Sequence, residues 1–91
     1  MITIKFFSLL RLLVQVEKIE LELADVTISA VLDETAKKIK TPFLHKLVLN
    51  GKLITGTIIL INGRNIHHLE KLDSIVIDGD EIALFPPGGG G

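Results

Sequence analysis

One stretch of this chain carries a helical period long enough to support a packed helix, and short alternating segments flank it on both sides. After Asp25 and Val26, Thr27 is placed to cap a helix whose Ile28, Val31, Leu32, Thr35, Ala36 and Ile39 share one face. Asp33, Glu34, Lys37, Lys38 and Lys40 lie away from that face, with acid nearer the start and lysine nearer the end, as the helix dipole favours. Pro42 stops the helix, and Phe43 to Leu47 suggest one further turn before Asn50-Gly51. A single apolar stripe needs a single apolar surface to cover it, which points to an α+β fold with one main helix across one face of a sheet.

The alternating segments supply that sheet. Ile2, Ile4 and Phe6 point one way and Phe7 the other, and Ile19-Glu20-Leu21-Glu22-Leu23 repeats the pattern with its acids on the wet face. The two strands read as a hairpin whose link, Leu9 to Gln15, holds a turn of helix or a wide connection. Lys52 to Gly56 read as a loop, and Thr57 to Ile61 as the most deeply buried strand. Asn62-Gly63 favour a type I′ turn into a short strand at Arg64 to Ile66. A loop with Leu69 and Leu72 leads to Ile75-Val76-Ile77, then a turn at Asp78-Gly79-Asp80 and a last strand, Glu81 to Phe85. Pro86-Pro87 take the chain off the sheet. The order is two strands, a helix and two or three strands; periodicity alone equally permits a ferredoxin-like arrangement.

With 91 residues, 47% of them hydrophobic, the chain builds one core, and we divide it into a domain at 1–87 and a flexible glycine tail at 88–91. A chain of this size suits a carrier, a binding module or a subunit better than a self-contained enzyme. A net charge of −1 without a basic block argues against nucleic acid as the partner. The absence of cysteine removes disulfides, thiolate metal sites and a cysteine nucleophile. The apolar run from Phe6 to Val14 is broken by Arg11, follows Lys5 and is too short to span a bilayer, so the expectation is a cytoplasmic protein with no membrane partner. His67-His68 and the acidic Asp78-Gly79-Asp80-Glu81 lack the spacing of a metal site; adjacent strand residues point to opposite faces.

The tail from Pro86 through Gly88, Gly89, Gly90 and Gly91 gives the last carboxylate a bare stalk. Extended, its six residues reach roughly 20 Å, enough to carry the terminus into another protein's active site. The C-terminal carboxylate is therefore the candidate reactive group.

The opening Ile4-Lys5-Phe6-Phe7, Arg11, Asn62-Gly63-Arg64 and the run from Asp78 through Pro86-Pro87 into Gly90-Gly91 together resemble the ubiquitin-like sulfur carriers, in particular the small subunit of molybdopterin synthase. The resemblance covers nearly the whole chain. It implies a ubiquitin-like β-grasp, with a mixed sheet of four to five strands against the helix. It also implies that an ATP-using, ubiquitin-activating-like adenylyltransferase activates Gly91, and that a sulfur donor converts it into a thiocarboxylate. Two such subunits would then join a dimer of the large synthase subunit as a heterotetramer, with no cofactor bound to the small subunit itself. Gly91 would carry the acyl group and Gly90 permit close passage, while Phe7, Arg11, Arg64, Phe85, Pro86, Pro87, Gly88 and Gly89 would meet partners. Family members usually carry a larger side chain near Gly88-Gly89, so this tail has more freedom to lose on docking. Leu12 stands where a polar or acidic residue is common, and either enlarges an apolar docking surface or joins the core. Asn62 to Ile66 also resemble ubiquitin-like modifiers. A protein modifier, a sulfur carrier for tRNA thiolation or thiamine thiazole synthesis, and a noncatalytic adaptor are the alternatives.

Overall fold

Alternation along β1 (Ile2–Phe6) buries Ile2, Ile4 and Phe6 and turns Thr3 and Lys5 outward. The computed structural model describes residues 1–88, and in it β1 lies near the middle of a five-stranded mixed sheet. Helix α1 (Ser8–Val14) follows, then β2 (Lys18–Leu21), which pairs antiparallel with β1 from Ile2↔Leu21 to Lys5↔Lys18. The chain continues through β3 (Val26–Thr27), the main helix α2 (Ile28–Lys38), β4 (Val48–Leu49), β5 (Lys52–Leu53), β6 (Ile58–Ile61), β7 (Arg64–Asn65), β8 (Ile75–Val76) and β9 (Glu81–Phe85). Three short 3-10 turns sit at Leu44–Lys46, Ile66–His68 and Lys71–Asp73. The sheet order is β2-β1-β9-β6-β7, with β1 and β9 parallel and the other pairs antiparallel. The architecture is the ubiquitin-like β-grasp.

Helix α2 lays Ile28, Val31, Leu32 and Thr35 into the core. The Thr27 Oγ1 accepts from the Ala30 N–H at 3.1 Å, closing the first turn. Thr35 is fully buried at no polar cost, because its hydroxyl donates back to the Val31 carbonyl at 2.7 Å. Across the core, Phe6 meets Phe43 edge-on, with ring centroids 5.7 Å apart. Among the described residues no buried side-chain nitrogen or oxygen lacks a hydrogen-bond partner.

Five details differ from the sequence reading. Lys52 and Leu53 are not loop but strand, paired with Leu49 and Val48. Asn50 and Gly51 both have positive φ, so they close a hairpin rather than end a helical turn. Val26–Thr27 pairs with Ile75–Val76 as a separate ribbon, and Ile77 lies outside that strand. Helix α2 begins at Ile28, which leaves Asp33 and Glu34 beyond its first turn; the Thr27 cap, not an acid, serves that end. Thr57 precedes its strand, held by a 3.0 Å hydrogen bond from its hydroxyl to the Leu47 carbonyl.

Candidate docking face and tail exit

The parallel register of β1 and β9 sets Phe6 beside Leu84, so the next residues, Phe7 and Phe85, emerge side by side at the end of the sheet. Their rings stack with centroids 4.6 Å apart and planes 10° from parallel. The Phe7 N–H donates to the Leu84 carbonyl at 3.1 Å, extending the ladder by one step. On the other side of β9, Ile58 pairs with Phe85 and is 41% exposed. The outer face of the sheet thus becomes apolar toward its exit end, while Glu81 at the start of β9 pairs with Lys5 on β1 at 3.3 Å.

Pro86 and Pro87 continue from β9 along an open groove of about 600 Å³, walled by Leu9, Leu12 and Leu13 of α1, by His45 and Lys46, and by Ile54. Helix α1 buries Leu10 and Val14. Leu12 is 71% exposed and Leu9 53%, so Leu12 is not a core residue but part of an apolar surface beside the tail exit. Gly88 is exposed, and Gly89, Gly90 and Gly91 lie outside the described residues.

The remaining site residues are placed differently. Arg11 lies on α1 and pairs with Glu17 at 3.5 Å, both side chains being largely exposed. Arg64 is separated from β9 by β6, and its register partner is Ile61 rather than Leu60. Ile61 faces the core, so Arg64 has the parity opposite to Phe85, and the structure does not bring these two together. His67 and His68 occupy a 3-10 turn rather than a strand, with the Asn65 Oδ1 accepting from the His67 N–H at 2.9 Å. Among the described residues no three histidine, aspartate or glutamate side chains gather as a metal site.

The acidic turn is structural. The Asp80 carboxylate accepts from the Ile77 N–H at 2.9 Å and from the Asn62 Nδ2 at 2.8 Å, and the Asn62 Oδ1 accepts from the Glu81 N–H at 2.9 Å. Two turns are thereby tied together at the start of β9. Asp78 pairs with the amino group of Met1. The hydrogen bond from that amine lowers the Asp78 carboxyl below its ordinary range, and Asp78 in turn raises the amine.

Sequence reasoning missed Leu9, Ile54, Ile58, His45 and Lys46 as neighbours of the exit. For Leu9 a signal existed: α1 reads Ser-Leu-Leu-Arg-Leu-Leu-Val, more apolar side chains than a two-turn helix can bury on one side. Ile54 and Ile58 carry no such mark, because only the folded register puts them next to Pro86 and Phe85.

With this geometry in view, comparison with known proteins decides the family. The ThiS family matches residues 4–91. The chain belongs to that family of ubiquitin-like sulfur carriers. It is 35% identical over 46 residues to small archaeal modifier protein 3 of Haloferax volcanii, a match covering 50% of each. The chain thus spans about half the length of that curated relative in the match. Among solved structures, SAMP1 from Haloferax volcanii superimposes with a TM-score of 0.81 at 25% identity, covering 99% of this chain and 98% of that one. A chain of the BexX/CysO complex of Amycolatopsis orientalis superimposes with a TM-score of 0.85 over 100% of both chains, and at 22% identity that likeness concerns the fold. Among the described residues no helix is long and apolar enough to cross a membrane.

Proposed function

We propose that this ThiS-family chain carries sulfur on Gly91 and donates it as the small subunit of molybdopterin synthase in the cytoplasm. The observation that carries the reading is the position of Pro86-Pro87. They leave a central strand directly beside the Phe7–Phe85 stack and the exposed Leu9 and Leu12, so the tail departs from an apolar end of the domain. A partner seated there receives the tail without searching for it.

The chemistry follows from a carboxylate's weakness as an acyl donor. An adenylyltransferase binds the domain, and a Gly91 carboxylate oxygen attacks the α-phosphorus of ATP, releasing pyrophosphate. A sulfur nucleophile at the oxidation level of sulfide, supplied by a partner, then attacks the carbonyl carbon and AMP leaves, so a C–S bond replaces the C–O bond of the adenylate. This chain contributes presentation. Phe7, Phe85 and the α1 leucines dock, Pro86 and Pro87 direct the tail, and the glycines from Gly88 onward fit a narrow channel. Arg11, half-exposed on α1 beside Glu17, offers its remaining guanidinium donors to a partner, and Arg64 contacts one from the other parity of the sheet edge. The large synthase subunit receives the tail in the heterotetramer, and the sulfur passes there to the cofactor precursor that becomes the dithiolene.

The relatives named as modifiers favour a second reading, in which the same adenylate is captured by a lysine amine to form an isopeptide bond. Mass spectrometry of the chain coexpressed with its activating system separates the two. Exchange of oxygen for sulfur at Gly91 on the free domain supports the carrier, with copurification of a synthase large subunit fixing the pathway. Gly91-to-lysine crosslinks support the modifier. An unmodified Gly91 in the presence of an active adenylyltransferase refutes both.

A further inference from the structure

The segment before β6 is a tight turn pinned at both ends to one carbonyl. The Ile54 N–H and the Thr57 hydroxyl each donate to the Leu47 oxygen, at 2.9 and 3.0 Å, and the Thr57 N–H closes the turn on the Ile54 oxygen at 2.9 Å. Thr57 is buried, so the turn is anchored in the core rather than lying loose on the surface. Gly56 sits at its crest with φ +94°, and a Cβ built there would stand 3.4 Å from the Pro87 Cβ and 3.5 Å from the Pro87 Cα. The other described glycines of positive φ, Gly51, Gly63 and Gly79, face open space. At Gly56 alone among them does the missing side chain leave room for another segment, and that segment is the last step of the chain before Gly88.

We infer that the Ile54–Thr57 turn is a rail on which Pro87 rests, with Gly56 as the positioning residue that sets the direction in which the tail leaves the domain. The inference rests on the reading of Gly91 as the reacting group. Proline fixes φ, so an orientation imposed at Pro87 sets the direction in which the chain reaches Gly88. A methyl at position 56 meets Pro87 at ordinary contact distance, whereas a side chain that continues past Cβ pushes Pro87 off the turn. A misplacement of about 1 Å at a reacting group costs on the order of 100-fold in rate.

The test compares Gly56→Ala and Gly56→Leu with Gly51→Leu, which bears the same positive-φ strain with nothing in front of it. Each folded variant is assayed in adenylation by the cognate activating enzyme, with ATP–pyrophosphate exchange giving kcat and KM separately. The rail requires Gly56→Leu to lower kcat roughly 10- to 100-fold with little change in KM, Gly56→Ala to fall between Gly56→Leu and wild type, and Gly51→Leu to stay near wild type. Equal kcat for Gly56→Leu and Gly51→Leu overturns it. Should Gly56→Leu not fold, Pro87→Gly releases the tail without touching the turn and must show the same loss in kcat; an unchanged kcat there also overturns the rail. In the free protein, nuclear Overhauser contacts between the Gly56 α-protons and the Pro87 ring are required, and their absence overturns the inference independently of any enzyme. If wild-type protein is never adenylated, the reading of Gly91 fails, and the rail is judged on those contacts alone.

Discussion

Replacing Phe7 and Phe85 by leucine, singly and together, separates what their stack does for the domain from what it does for a partner. Both rings are half-buried, lie 4.6 Å apart and are nearly parallel, so each single change removes the ring pairing while keeping much of the apolar volume. Such pairs contribute about 0.5–1.5 kcal/mol beyond area burial, and the coupling in a double-mutant cycle should be about 1 kcal/mol. For a domain of this length, 1 kcal/mol corresponds to roughly 4–8 °C in Tm. The chain has no tryptophan or tyrosine, so urea unfolding is followed by far-UV circular dichroism. In parallel, affinity for the activating enzyme is measured by calorimetry. If the aromatic pair anchors that interface, each single variant should lose about 2 kcal/mol of binding, close to 30-fold in Kd. Coupling below about 0.3 kcal/mol would refute the stack as a unit of the folded domain. Lost stability with unchanged Kd would refute its role in docking.

Three further outcomes are expected. Thr27→Ala removes the oxygen that receives the Ala30 N–H and should cost about 1 kcal/mol, read from the urea midpoint. Thr57→Val deletes the buried hydroxyl bond to Leu47 and should cost about 1 kcal/mol, with faster amide exchange at Ile54 and Thr57. Asp78→Asn should flatten two limbs of the stability–pH profile. The lowered Asp78 carboxyl contributes stability that is complete above its ordinary 3.8 and lost as pH falls through the lowered value, and the raised Met1 amine contributes stability complete below 8.0 and lost as pH rises through the raised value. A thermal-unfolding profile against pH that is identical for wild type and Asp78→Asn would remove the pair from consideration.

Most of the sheet was legible because its periodicities are unmixed: Ile2, Ile4 and Phe6, then Ile82 and Leu84 enter the core on the parity their sequences imply, whereas Ile58 to Ile61 is continuously apolar and only the fold shows that Ile59 and Ile61 are its inward side chains. The small ribbons were not, since two-residue strands such as Val48–Leu49 and Val26–Thr27 are too short to show a period and owe their existence to a partner strand. The same limit governed the candidate docking face. Phe7 and Phe85 declared themselves by falling outside the core parity, whereas Arg64 looked equivalent to them in a linear motif and is set apart by one step of register. Asp80 read as one acid of a turn; its bond from the Ile77 N–H is local, whereas its tie to Asn62 depends on two turns meeting from 18 residues apart.

The strand that leads into the tail has a mechanical consequence. Because β9 is flanked on one side by β1 and on the other by β6, a pull on the tail acts along the strand axis and loads both ladders in shear. Shear distributes the force over all the hydrogen bonds at once, whereas peeling an edge strand breaks them one at a time. A terminus drawn taut into a deep channel therefore tugs on the most securely held strand of the domain, and the tether can bear tension while the body stays folded.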